Sequence, residues 1–321
     1  MRMLKLVVIL IFVSLLLSVS VDAGLWDSIK KSIAPAKSTS PAGAGLAKQK
    51  STTSSSTSVG VDKVTTTSAK MSKFTSPYPI IFIHGLDGSQ DSLITMQNQL
   101  AIDKITENKG VIYSSSPKSQ LCPETWPKAV SVNFEFYDEG KNRGIEFYSD
   151  KLAKAIETLK TCTGSSKVNV VAHSMGGLIS RTYMVKYSSN SVNRLIMLET
   201  PNYGSTLFGS FAEVKGGDAA LMTPDSRFLA VLNSRDCKYR GKMVNIASKV
   251  TLIDDFVANE RAQQGKQQDR CAPPTMSIIV LLSDASLVRA KNIAVNGCSH
   301  SGIASPIDCP KAFQHVKNYL K

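Results

Sequence analysis

The most informative chemical feature of the sequence is a serine between a predicted strand and a predicted helix. Ser174 follows the mostly apolar run 168–172 and precedes a segment of helical periodicity, 178–187. A serine hydroxyl is a poor nucleophile unless a base and a substrate carbonyl can both reach it, and a tight strand-to-helix turn gives that access. Such a turn brings neighbouring chain close, and the small residues Ala172 and Gly176 stand two positions on either side. The pattern predicts a nucleophile for acyl transfer.

A glycine-containing loop is the second chemical feature. His84, Gly85 and Leu86 follow the uninterrupted apolar run 79–83, which is typical of a buried parallel strand. Such a loop can offer a backbone N–H to the oxyanion that develops when a carbonyl is attacked, and the amide after the serine can offer another. Leu86 N–H and Met175 N–H are therefore the predicted donors. Taken singly, the loop is an ordinary glycine turn and the serine a helix cap; their combination favours a catalytic site.

The elements that must position these residues alternate along the chain. Apolar runs predict strands, and apolar residues at spacings of three, four and seven predict amphipathic helices. The predicted strands are 79–83, 130–136, 167–172, 192–199 and 292–295, and the predicted helices are 144–160, 178–187 and 312–320. Strand and helix in alternation predict an α/β fold with a mostly parallel central sheet and helices on both faces.

Four motifs together resemble a known family. They are IFIHGLDGS at 81–89, VAHSMGGL at 171–178, LETPNYGS at 198–205 and SRFLAVLN at 226–233. The combination resembles secreted lipases and esterases of the α/β-hydrolase superfamily, particularly the class 2 bacterial type, over residues 77–321. The resemblance implies an α/β-hydrolase fold in which serine, acid and histidine follow one another along the chain. Glu199 stands where the family usually has Gly, and a long insertion follows 257; both departures leave the substrate pocket open.

The general base is predicted from this order. Of the four histidines, two precede the serine, and His315 lies in an apparent C-terminal helix. His300 follows a predicted strand and matches the family pattern G-x-x-H-x-G-L at Gly297, His300 and Gly302. The resemblance therefore implies that His300 takes the proton of Ser174 and later returns it to the leaving alcohol.

The acid has several candidates. The mostly apolar stretch 243–253 ends at Asp254, where the family often carries its acid in D-x-x-V, so Asp254 is the preferred residue and Asp255 its immediate alternative. Asp284 is the rival, because the apolar stretch 277–283 precedes it. Against Asp284, only eight residues separate it from Ile293, which leaves little room for a crossover helix between parallel strands.

A helical insertion is predicted beside this site. Residues 204–240 carry apolar side chains at roughly helical spacing and follow the strand that ends at Glu199. The segment therefore is a candidate cap or lid whose apolar face binds an acyl chain. The alternative is a helical excursion that packs on the body of the domain.

The N-terminal part predicts secretion. Residues 1–23 combine two basic residues, an apolar run and small residues before a cleavage point after Ala23, as in a signal peptide. Residues 24–76 hold eight Lys and two Asp, with twelve Ser or Thr among residues 51–70, a composition typical of a disordered linker. Much of the net charge of +13 lies there, so contact with an anionic membrane or cell surface through this basic tail is predicted, and a nucleic-acid partner is not.

The number of cysteines also agrees with the predicted secretion. Six cysteines in an oxidising environment suit three disulfides, and sequential pairing is preferred among the 15 possible connectivities. A bond between Cys298 and Cys309 would brace the loop that carries His300. Their spacing matches no zinc motif, so no metal site is predicted.

The combined prediction is a secreted, monomeric serine hydrolase that needs no cofactor. It has a signal peptide at 1–23, a linker at 24–76 and an α/β-hydrolase domain at 77–321. Its expected substrates are carboxylic esters of lipids, as for a triacylglycerol lipase or esterase. The alternatives are a phospholipase, a palmitoyl-protein thioesterase, a lipid-anchor deacylase and a non-catalytic surface-binding homologue.

Overall fold

Seven parallel strands form the centre of the domain in a computed structural model, which describes residues 74–116, 122, 124–205, 216–224, 226–249 and 286–321. The strands are β1 Ile80–Ile83, β2 Glu107–Tyr113, β3 Val130–Glu135, β4 Val168–His173, β5 Val192–Leu198, β6 Met243–Lys249 and β7 Lys291–Asn296. Their order in the sheet is β2-β3-β1-β4-β5-β6-β7, and every neighbouring pair is parallel. The predicted parallel sheet is confirmed.

Helices cover both faces of this sheet. They are α1 Ile94–Ile102, α2 Ile145–Thr163, α3 Met175–Tyr183, α4 Gly217–Ala220, α5 Arg227–Arg235 and α6 Pro310–Leu320. Because side chains alternate across a strand, Ile81 and Ile83 of β1 pack in one buried cluster with α2 and α3. Ile80 and Phe82 pack in a second cluster with α1 and α6. The fold is therefore a three-layer α/β sandwich, as predicted.

Two elements at one edge of the sheet were not predicted from the sequence. The first is β2, which has the sequence ENKGVIY and is half-buried along most of its length. The second is α1, which packs Met96 and Leu100 into the second cluster. An edge strand keeps one side in solvent, so it lacks the continuous apolar pattern of the central strands.

The described chain begins three residues before the predicted domain boundary at 77. The amide of Thr75 donates to the carbonyl of Lys104, at 3.1 Å, and that of Ser76 donates to Ile105, at 3.0 Å. These residues therefore pack on the domain. The predicted signal peptide and nearly all of the predicted linker lie outside the described residues. Among the helices that are described, none is both long and apolar enough to cross a membrane.

Two disulfides join neighbours in the order of the cysteines. Cys122 bonds to Cys162 with a Cα separation of 5.6 Å, and Cys298 bonds to Cys309 with 5.5 Å. Both pairs are those that sequential pairing predicts. The third expected pair joins Cys237 to Cys271, which lies outside the described residues.

The described parts of the predicted cap, 204–240, pack on the domain. They include α4 and α5, from which Ala219, Leu229 and Leu232 enter the same buried cluster as α2 and α3. Residues 206–215 and 225 of this segment lie outside the described residues, and the cap or lid stays a prediction. Phe228 and Val231 of α5 also line a concavity of about 800 Å³ whose walls do not include Ser174.

Candidate active site

Ser174 lies at a sharp turn between β4 and α3. Its backbone has φ +51° and ψ −124°, a conformation that non-glycine residues rarely adopt and that the surrounding structure must hold. A Cβ on Gly176 would lie 2.5 Å from the carbonyl oxygen of His84 and 2.6 Å from that of Ile83, so only glycine fits. The turn is also fixed from β5, because Ser174 N–H donates to Leu198 O at 2.8 Å and the Thr200 hydroxyl donates to Ser174 O at 3.0 Å.

The predicted oxyanion loop lies directly against the serine. A Cβ on Gly85 would lie 2.9 Å from the Cβ of Ser174, so the loop can approach this closely only with glycine at that position. Leu86, one of the two predicted donors, is the next residue. Met175, the other predicted donor, is the first residue of α3, so its N–H has no acceptor within the helix. Both amides thus come from segments that adjoin Ser174.

His84 holds this loop through contacts with the backbone and with β3 and the residue after it. Its Nδ1 lies 2.9 Å from Gly85 O, its Nε2 lies 3.3 Å from Glu135 Oε1, and its ring stacks on Phe136 with a centroid distance of 3.9 Å. Burial favours a raised pKa for the Glu135 carboxyl, but hydrogen bonds from His84 and from two backbone amides outweigh it and hold that pKa below its ordinary value. An ionised Glu135 therefore supports the loop at neutral pH.

His300 faces Ser174 from the loop after β7. Its Nε2 lies 3.1 Å from Ser174 Oγ, within hydrogen-bond reach. The loop is held in three ways: Ser248 Oγ donates to Cys298 O at 2.6 Å, His173 Nε2 donates to His300 O at 2.7 Å, and a disulfide joins Cys298 to Cys309. The structure thus brings together the predicted nucleophile and the predicted base.

Glu199 provides a carboxylate next to His300, and the sequence reasoning did not consider it as an acid. Its Oε2 lies 3.8 Å from His300 Nδ1, and its side chain is 3% exposed. Glu199 has φ +51°, which explains why glycine suits this position in similar sequences and which costs about 1–3 kcal/mol for another residue. The signal that could have found it is its place just past β5. The predicted acids Asp254, Asp255 and Asp284 lie outside the described residues.

A family profile matches residues 67–267, more than half of the chain, and is described as an alpha/beta hydrolase of unknown function (DUF915). The chain belongs to this family of α/β-hydrolases. The described geometry agrees with that membership, because Ser174 lies at a sharp turn between a strand of a parallel sheet and a helix.

Curated relatives of this α/β-hydrolase match it over part of their length. It is 32% identical over 89 residues to lecithin-cholesterol acyltransferase-like 4 of Arabidopsis thaliana, covering 25% of this chain and 17% of that protein. It is 27% identical over 139 residues to a triacylglycerol lipase of Pseudarthrobacter phenanthrenivorans, covering 42% of this chain and 36% of the lipase. The chain therefore spans well under two thirds of either relative.

Solved structures with a similar chain path include two bacterial proteins. The mature lipase BlEst2 of Bacillus licheniformis superposes with a TM-score of 0.49 at 18% identity, covering 77% of this chain and 94% of that one. A Listeria innocua protein superposes with a TM-score of 0.48 at 19% identity, covering 76% and 94%.

The α/β-hydrolase shows no metal centre in its described part. Within the described ranges, no group of three His, Cys, Asp or Glu side chains is placed to hold a metal ion.

His173, beside the nucleophile, makes the stability of this α/β-hydrolase depend on pH. Burial, and secondly the nearby His300, lower the pKa of His173 to about 3 from an ordinary 6.5. Between these two values the unfolded chain binds a proton that the folded chain does not, so the free energy of unfolding falls as the pH decreases from about 6.5 towards 3. His173→Gln keeps an N–H donor but cannot bind this proton. We expect its free energy of unfolding, measured with urea, to fall less steeply than that of the wild type as the pH decreases from about 6.5 towards 3.

The matched control for this prediction is His315→Gln in α6, which should keep the wild-type slope. The comparison uses slopes, because the common titration of the carboxylates contributes equally to all three proteins. Equal slopes for wild type and His173→Gln would contradict the assignment.

Proposed function

We propose that this α/β-hydrolase is a serine hydrolase that cleaves carboxylic esters of lipids through an acyl-enzyme. The observation that carries the proposal is the 3.1 Å distance between Ser174 Oγ and His300 Nε2 at the strained turn after β4. A base at hydrogen-bond distance activates a serine hydroxyl as a nucleophile at neutral pH. The Ser174–His300 pair has the geometry of that activation.

The proposed reaction has two halves. Ser174 Oγ attacks the ester carbonyl while its proton passes to His300 Nε2, and the Leu86 and Met175 amides stabilise the oxyanion. Collapse of this intermediate expels the alcohol, which takes the proton from His300. Water then loses a proton to the same nitrogen and attacks the acyl-enzyme, and Ser174 is released with its proton restored. The carboxylate that orients His300 is Asp254 from the sequence pattern or Glu199 from the geometry.

The choice of lipid esters is supported by the relatives. One is described as a triacylglycerol lipase and another as lecithin-cholesterol acyltransferase-like, so both names refer to acyl esters of lipids.

Secretion is part of the proposal as well. The two disulfides suit an oxidising compartment, and the sequence of residues 1–23 suits a signal peptide. We also propose that the basic tail contacts an anionic membrane or cell surface. Comparing the binding of anionic liposomes by protein with and without residues 24–76 tests this contact.

The proposed function is tested with oxidised protein from residue 24 onward. We expect it to hydrolyse para-nitrophenyl esters and to be labelled by a fluorophosphonate on the peptide that contains Ser174, as located by mass spectrometry. Ser174→Ala should do neither. The rates with short and long acyl chains separate an esterase from a lipase, and a parallel palmitoyl-thioester assay measures the thioesterase alternative. Labelling that persists in Ser174→Ala would refute the assignment of the nucleophile.

A further inference from the structure

We propose that Glu199 is the positioning residue for His300, the carboxylate that fixes the imidazole and stabilises its protonated form. This inference rests on the proposed function, because it completes the same site. The acid would then follow β5, the strand next to that of the nucleophile. The sequence pattern instead favours Asp254, beyond β6.

The first support is the way the Glu199 carboxylate is used. Its side chain is 3% exposed, and a buried carboxylate is stable only when its oxygens have partners. The Ser248 amide donates to Oε1, while Oε2 faces His300 Nδ1 at 3.8 Å. One oxygen is therefore anchored to the backbone of β6, and the other is directed at the nitrogen of the imidazole that does not face Ser174.

The second support is the connection between the surroundings of Glu199 and both reacting residues. The next residue, Thr200, donates its hydroxyl to Ser174 O. Ser248, which binds the Glu199 carboxylate through its amide, donates its hydroxyl to Cys298 O in the loop that carries His300. The segment that carries the carboxylate thus contacts the nucleophile turn through Thr200, and Ser248, the partner of the carboxylate, contacts the base loop.

The distance of 3.8 Å is longer than a hydrogen bond, but the His300 side chain is 46% exposed and has room to turn. Hydrogen bonds between catalytic groups often shorten only when substrate is bound. The proton balance requires no transfer to Glu199. The proton of Ser174 moves to Nε2 and then to the leaving alcohol, Nδ1 keeps its proton throughout, and the carboxylate stays ionised.

His173 is the other titratable group that faces His300, with ring centroids 4.9 Å apart. Its pKa, lowered to about 3 by burial and by His300, leaves it neutral at neutral pH. Among the described residues, Glu199 is therefore the charged group that stabilises the imidazolium of His300.

The test compares Glu199→Gln with Asp254→Asn, each an isosteric loss of charge. For Glu199→Gln we expect kcat to fall on the order of 10³–10⁴-fold with little change in KM, as when the acid of a triad becomes an amide. The acid-side midpoint of the kcat/KM pH profile should move to lower pH, because the imidazolium loses its counter-charge. Glu199→Asp should restore part of kcat, whereas Asp254→Asn should keep the wild-type midpoint. A merely structural role would change thermal stability without moving this midpoint.

A second measurement does not depend on activity. In the Ser174→Ala background, NMR titration should show a lower pKa for His300 after Glu199→Gln and an unchanged pKa after Asp254→Asn. An unchanged His300 pKa in Glu199→Gln, or a fall only in Asp254→Asn, would overturn the assignment of Glu199. Absence of fluorophosphonate labelling in the wild type would instead count against the proposed function, and the titration would still decide the pairing.

Discussion

Replacement of His300 by alanine is expected to lower kcat for ester hydrolysis by about 10⁵–10⁶-fold, with a much smaller change in KM. The imidazole lies 3.1 Å from Ser174 Oγ and is the proposed acceptor of the proton of that hydroxyl. Without it, attack requires an unactivated hydroxyl. Ser174→Ala should cost as much, and the double variant should be no slower than either single variant, because the two residues act as one unit. Steady-state kinetics with a para-nitrophenyl ester measures all three.

The matched control is His315→Ala, since His315 lies in α6, which carries neither member of the pair. Its kcat should stay within a few-fold of wild type. A double variant whose loss is the product of the two single losses would show that His300 and Ser174 act independently. A loss of less than 100-fold in His300→Ala would show that another group removes the proton of Ser174.

The parts of the site that the sequence predicted are those whose requirements are local. The turn at Ser174 needs small residues. Gly176 lies against the carbonyl oxygens of Ile83 and His84, and Gly85 lies against the serine itself. A clash of this kind restricts the residue type at a fixed distance along the chain, so it is visible as a motif. The parallel sheet was predictable for a related reason, since buried central strands are continuous apolar runs.

The carboxylate next to His300 was not predictable in this way. Glu199 and His300 are far apart in sequence, and their proximity depends on β5, β6 and β7 being neighbours in the sheet. In the sequence, Glu199 is distinguished only as a departure from glycine, and its positive φ explains why glycine is usual there. A motif shows that the position favours glycine, but only the tertiary structure shows which group a carboxylate there would face.

A second feature hidden from the sequence is a group of buried charges behind the nucleophile helix. Arg181, Asp236 and Arg240 are each 0% exposed, although such residues usually lie at the surface. Arg181 Nε donates to Asp236 Oδ2 at 2.6 Å, and Arg240 Nε donates to Asp236 Oδ1 at 2.9 Å. The remaining guanidinium nitrogens donate to the side chains of Asn202 and Asn233 and to nearby carbonyls. One carboxylate is therefore shared by two cations.

Asp236→Asn is expected to lower the free energy of unfolding by about 3–5 kcal/mol. The amide keeps the volume of the side chain but leaves two buried guanidinium groups without a counter-charge. Arg181 belongs to α3, whose first turn carries Met175 next to the nucleophile. The variant should therefore lose its folded structure and its esterase activity in the same unfolding transition. Denaturant unfolding measured by fluorescence, with esterase activity followed in the same samples, tests both effects. The control is Asp150→Asn, whose partner Lys186 is 42% exposed, so a change of at most about 1 kcal/mol is expected.

The cause of the destabilisation can be separated from a simple loss of hydrogen bonds. If uncompensated charge is responsible, replacing all three members by apolar residues, as in Arg181→Met, Asp236→Leu and Arg240→Met together, should destabilise the protein less than Asp236→Asn alone. If lost hydrogen bonds are responsible, the triple variant should be the least stable of the set, because it removes every bond that the network makes. An unfolding free energy for Asp236→Asn within 1 kcal/mol of wild type would contradict both explanations and would mean that water or a rearranged side chain compensates the two arginines.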